Sequence, residues 1–101
     1  MPPMNSLSEV RVAIDALDRA LVATLARRAE VVRAAAAFKS DEQAVRAPDR
    51  VEVVVRNVRA LAAAEGADPD LIERIYRHLI AAMTEAELAE MTAHRQRAGG
   101  A

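Results

Sequence analysis

SLSEVRVAIDALDRALVATLARRAEVVRAAAAFK, residues 6–39, is the stretch that decides the fold. Its head, Ser6–Leu7–Ser8–Glu9, is an S-x-x-E capping box, the side-chain signature of a helix N-terminus. Leu7, Ile14 and Leu21 then recur every seven residues, with Val10, Leu17, Thr24 and Val31 as a second register. From Leu7 onward no glycine or proline interrupts the chain before Pro48. The spacing predicts a helix from Leu7 to about Lys39. At ~1.5 Å rise per residue such a helix spans roughly 50 Å. A compact globule of this chain length is only roughly 33 Å across. The helix therefore overhangs its own domain, and an apolar stripe without cover finds it on another chain. A dimer sharing this helix is the economical answer.

Two more helices follow outward from it. Ser40–Ala47 is polar and loses the period, which predicts a loop. Pro48 suits the first turn of a helix to Glu65, where a missing N–H costs nothing. Its apolar stripe is Val51, Val54, Val55, Val58, Leu61 and Ala62, and Gly66 closes it. Asp68 then caps a third helix that Pro69 opens. Ile72, Ile75, Tyr76, Leu79, Ile80, Met83 and Met91 share one face of it. It is expected to end near Ala93, leaving residues 95–101 as a frayed tail and an ordered core of about 6–93 within one domain, 1–101.

Composition agrees with an all-α chain. Twenty-four of the 101 residues are alanine, against three glycines and four prolines, too little turn material for an all-β fold. Lys and Arg number 14 and Asp and Glu 15, so the basic excess of a nucleic-acid binder is missing. Arg95 and Arg97 on the tail are the sole local support for such a role. Without cysteine there is no disulfide framework and no thiolate site, and His78 and His94 are too few for a metal cage. No apolar run reaches the ~20 residues of a membrane span. The segment Met1–Pro2–Pro3–Met4–Asn5 has neither the basic nor the apolar region of a signal peptide, so a cytoplasmic protein is expected.

Three charges sit where an apolar residue is due. Arg28 continues the Leu7–Ile14–Leu21 stripe. Arg28, Val32, Ala35 and Lys39 line one helix face, because eleven residues make three turns plus about 20°. Glu87 follows Tyr76, Ile80 and Met83 at helical spacing, which turns a carboxylate toward the interior. Buried charge is costly unless paired or given to a ligand. The plainer reading pairs Glu87 with Arg28 or Lys39, or lets the long stems reach water. The functional reading is a polar pocket in a helical core that binds a small anion, most naturally a carboxylate held by arginine. The other arginines, Arg46, Arg56, Arg59, Arg74 and Arg77, read as surface charges, several with acidic neighbours at helical spacing.

Arg11-x-x-Ile14–Asp15-x-x-Asp18, Leu25–Ala26–Arg27–Arg28, Phe38–Lys39 and Ala47–Pro48–Asp49–Arg50, in that order, resemble the all-helical chorismate mutase family. The resemblance covers about Leu7 to Met91. Through the loop from Phe38 to Val51 the spacing is similar to the isochorismate pyruvate-lyase branch of that family. What the resemblance implies is an intertwined homodimer of three-helix subunits, with the long helix crossing between protomers. It also implies a dicarboxylate substrate and neither cofactor nor metal. Arg11 from one chain and Arg28 from the other would grip the substrate's two carboxylates, since ~25 Å of helix separates them within one chain. Lys39 would hydrogen-bond the ether oxygen and one carboxylate, and Arg50 would lie near the ring carboxylate. Glu87 falls where many members place Gln, the second donor to the ether oxygen. Ala35, Val51 and Met83 complete the expected lining.

The chemistry the resemblance implies is pericyclic, so the protein's task would be to orient a compact conformer and to set positive charge where the breaking C–O bond leaves negative charge. Three departures bear on it. Glu87 donates to an ether oxygen only in its acid form, so activity is expected to favour mildly acid pH. Ala47 and Val51 stand where typical mutases carry carboxylates near the ring hydroxyl, and Met83 where they carry a serine. The resemblance implies chorismate mutase first and the lyase, giving salicylate and pyruvate, second. A helical dimerisation module without chemistry is the non-enzymatic alternative.

Overall fold

The computed structural model describes residues 4–99. Met1–Pro2–Pro3 and the last two residues of the tail, both named above, lie outside them. The described chain is all-helical: α1 (Leu7–Ala35), a 3₁₀ turn (Ala36–Phe38), α2 (Glu42–Arg46), α3 (Pro48–Ala64) and α4 (Pro69–Gly99). It divides into two compact units, Met1–Val31 and Val32–Ala101.

The first unit is the N-terminal part of α1, and its cap forms as the motif predicts. The Glu9 N–H donates to Ser6 Oγ at 3.1 Å, and Glu9 Oε2 accepts from the Asn5 N–H at 2.8 Å. The carboxylate thus reaches one residue further back than in the usual box. No residue of α1 is buried. Leu7, Ile14, Leu17 and Leu21 are between 49% and 62% exposed. A row of large apolar side chains on one helix face is thus open to solvent in the single chain.

In the second unit α3 and α4 pack on each other, and α2 and the 3₁₀ turn both pack on α4. Val45, Val55, Val58, Ala62 and Met91 form the buried apolar core. Gly66 ends α3 in a Schellman motif: at φ 76° it lets the Ala67 N–H reach Ala62 O at 2.8 Å and its own N–H reach Ala63 O at 3.3 Å. Asp68 caps α4 through Oδ1, which accepts from the Asp70 N–H at 2.9 Å.

Four expectations are corrected. The first helix ends at Ala35, not Lys39, tightening into the 3₁₀ turn before Lys39 turns extended at φ −116° and ψ 135°. The expected loop contains α2, nucleated by Asp41, whose Oδ1 accepts from the Ala44 N–H at 2.8 Å, and anchored by Val45. Five residues are too few for a period to register. The third helix continues to Gly99, with Arg97 within 3.6 Å of Glu90 one face up the last turns. Leu61 and Ile75, assigned to apolar stripes, are 61% and 51% exposed, because a pair of helices covers only the facing side of each. Among the described residues no helix is long and apolar enough to cross a membrane.

Between α2 and α3 stands Ala47, which takes left-handed backbone angles, φ 38° and ψ 63°. That conformation costs an L-residue about 1–2 kcal/mol. Here it terminates α2, with the Ala47 N–H on Gln43 O at 2.9 Å, and lets Pro48 open α3.

A chain of charges ties α3 to α4. Arg77 holds Glu52 through two parallel bonds of 3.0 Å and Glu73 through Nε at 2.9 Å. Arg59 reaches Asp70 and Glu73, both at 2.9 Å. Two of the arginines read as surface charges therefore cross-link helices. The hydrogen bonds from Arg77 hold the carboxyls of Glu52 and Glu73 below the usual range, with Arg59 adding to the effect on Glu73. Groups whose folded values are depressed contribute stability above their unfolded pKa of about 4.3 and lose it as pH falls through the folded value. The melting temperature is therefore expected to be level from neutral pH to about 5 and to drop below it. Arg77→Met should lessen that acid sensitivity, as read by thermal unfolding across pH. An unchanged acid slope in the variant would remove the network from the stability of the fold.

Candidate active site

The site grows from the end of the 3₁₀ turn. There the Lys39 N–H closes on Ala36 O at 3.2 Å while its backbone goes extended, which sends the side chain away from the turn and onto α4. Lys39 Nζ donates to Glu87 Oε2 at 2.9 Å. Glu87 is 2% exposed, the one buried charged residue among those described, and lies one turn before Met91 on the inward face of α4. The carboxylate predicted to face the interior does so. Of its two candidate cationic partners in the sequence, Lys39 is in direct contact.

The pair is asymmetric. The Glu87 side chain is 3% exposed and that of Lys39 27%. An ammonium carries three N–H donors, and a part-exposed one bonded to a buried carboxylate has donors left for a ligand. Pairing also offsets part of the cost of burying the Glu87 carboxylate.

Two turns beyond Glu87 on α4, Arg95 donates from Nη2 to the carbonyl oxygen of Ser40 at 2.6 Å. A hollow of about 260 Å³ opens beside Lys39, and Arg33, Glu90, Met91, His94 and Arg95 also line it. Reading the sequence missed Arg95 as part of this neighbourhood, having given it to a frayed tail. No local signal marks it, since its partner is a backbone carbonyl 55 residues away.

The remaining candidates are distributed along the chain. Ala35 is half-buried at the end of α1, and Phe38, beside Lys39, is 90% exposed. Val51 and Ile80 border a second hollow of about 430 Å³ with Arg46, Arg77 and Glu85. Arg50 is exposed on the first turn of α3, and Met83 is half-buried on α4. Arg11 and Arg28 belong to the first unit, Arg11 exposed and Arg28 half-buried on α1.

The family profile described as chorismate mutase type II matches residues 10–88. The chain belongs to the chorismate mutase type II family. The matched span of this chorismate mutase type II chain takes in Arg11, Arg28, Lys39, Arg50 and Glu87 and stops before Arg95. Over 76 residues, 75% of this chain and 75% of the relative, it is 35% identical to the isochorismate pyruvate lyase of Pseudomonas aeruginosa.

Proposed function

We propose that this chain, acting as one domain and as a cytoplasmic homodimer, is an isochorismate pyruvate lyase, cleaving isochorismate to salicylate and pyruvate. The observation that carries the pericyclic reading is the Lys39 ammonium held at 2.9 Å on buried Glu87. Identity to a lyase, together with Ala47 and Val51 in place of carboxylates near a ring hydroxyl, favours the elimination. The second reading, chorismate mutase, rests on the family profile that runs from residue 10 through Glu87.

The elimination breaks the ring C–O bond while a ring hydrogen passes to the methylene carbon of the departing enolpyruvyl group. Salicylate and pyruvate together have the composition of the substrate, so no water or external redox partner enters. Negative charge gathers on the ether oxygen as the bond lengthens. Lys39, oriented by Glu87, places a donor there, and a fixed donor at such a point is worth ~10²–10³ in rate. Arg28 of one chain and Arg11 of the other bind the two carboxylates, Arg50 adds charge near the ring carboxylate, and Ala35, Val51 and Met83 form the wall. No nucleic acid or membrane takes part.

The function itself is tested by incubating the purified chain with isochorismate and following salicylate fluorescence and pyruvate. Equal amounts of the two are expected; consumption of chorismate alone, to prephenate, would turn the assignment to the second reading.

A further inference from the structure

We infer that Arg95 is a positioning residue for Lys39, closing a two-point clamp by which α4 grips the Lys39–Ser40 dipeptide. The inference rests on the role given to Lys39 above, and deepens it. Lys39 and Ser40 follow the last residue of the 3₁₀ turn and precede Asp41, the cap of α2. Both Lys39 and Asp41 are extended, so this stretch has no helical ladder of its own to hold it. α4 supplies the hold from outside. Glu87 binds the Lys39 ammonium at 2.9 Å, and Arg95 binds the Ser40 carbonyl at 2.6 Å.

The two grips belong to one rigid element. Eight residues of helix separate them by ~12 Å along the axis and ~80° around it. Buried Met91 lies midway between the two. One point fixes the head group, the other the peptide that follows. With the Lys39 N–H held on Ala36 O at 3.2 Å, the peptide that follows is the part left to swing about an extended backbone. With the adjoining carbonyl held as well, the ammonium's approach to a ligand is set. A cation on the last turns of a helix is also favoured by the partial negative charge of the C-terminus. Arg95 lies on the last turns of α4, beyond residues 10–88 that the family profile matches.

The clamp is tested in the full chain with Arg95→Ala and Arg95→Lys. Trypsin cuts after Lys39 only when its side chain leaves Glu87 and the backbone opens, so the Lys39–Ser40 bond reports the clamp directly. Under native conditions Arg95→Ala should raise the cutting rate there about fivefold. Cutting after Arg56 and Arg74, within α3 and α4, should not change. In turnover of whichever of the two substrates the wild type accepts, kcat should fall ~10-fold with KM within about twofold, as expected of a misplaced donor. Arg95→Lys, which keeps a charged donor, should restore part of both. Unchanged cutting at Lys39, cutting that rises equally at Arg56 and Arg74, or an unchanged kcat would each overturn the inference. A wild type that turns over neither substrate would defeat the proposed function, and the proteolysis would still decide the clamp.

Discussion

Lys39→Ala is expected to lower kcat/KM by ~10²–10³, the loss that follows removal of a fixed donor at a developing oxyanion. The same substitution strands Glu87, 2% exposed, without its bonded ammonium. Breaking a buried pair in this way costs about 3–5 kcal/mol, and the part-exposed lysine puts the expectation at the lower end. A loss of activity through unfolding must therefore be separated from a loss of chemistry. The double variant Lys39→Ala with Glu87→Gln removes the buried charge, and should regain most of the stability while remaining inactive. Urea unfolding and steady-state rates on the same preparations make the comparison. Activity returning in step with stability would reduce Lys39 to a structural partner of Glu87.

The second large effect concerns the arginines. Arg11→Ala and Arg28→Ala are each expected to cost ~10² or more in kcat/KM, because each removes a charged grip on a carboxylate. Their combination is the sharper test, since the proposed site takes Arg11 from one chain and Arg28 from the other. When the two single variants are unfolded together and refolded, half of the dimers formed at random are mixed. Each mixed dimer holds one intact site and one doubly altered site. Activity should rise from near zero to about a quarter of the wild-type value. A mixture no more active than its components would place both arginines in one chain's site, or outside it. The row of exposed apolar residues from Leu7 to Leu21 is the surface such a dimer would bury.

What was legible in the sequence is what local chemistry determines. The Ser6–Glu9 box, the Asp68–Pro69 start and the Gly66 stop all act within a turn or two, and the structure has each of them. The interruption of an apolar face by Glu87 was equally legible, since helical spacing alone turns it inward. The choice of its partner was not. Periodicity fixes which face a residue occupies, and says nothing of which cation, 48 residues earlier, arrives opposite it. Arg95 was lost for the same reason: a donor to a distant carbonyl leaves no pattern around itself. α2 was missed because Val45 contributes a single buried side chain, too little for a period, although Asp41 was there as its cap. Leu61 and Ile75 erred the other way. Their stripes were real, and one neighbouring helix was too little to cover them.

In the proposed function Lys39, fixed on buried Glu87, serves a pericyclic elimination of isochorismate. The most direct measurement is kcat/KM for isochorismate and for chorismate on one preparation of the full chain, with products identified, from mildly acid to mildly alkaline pH. Salicylate and pyruvate in equal amounts, formed from isochorismate with the higher kcat/KM, is the predicted result. A folded dimer that leaves both substrates untouched at every pH would contradict it, and would leave a helical scaffold whose buried ion pair serves the fold alone.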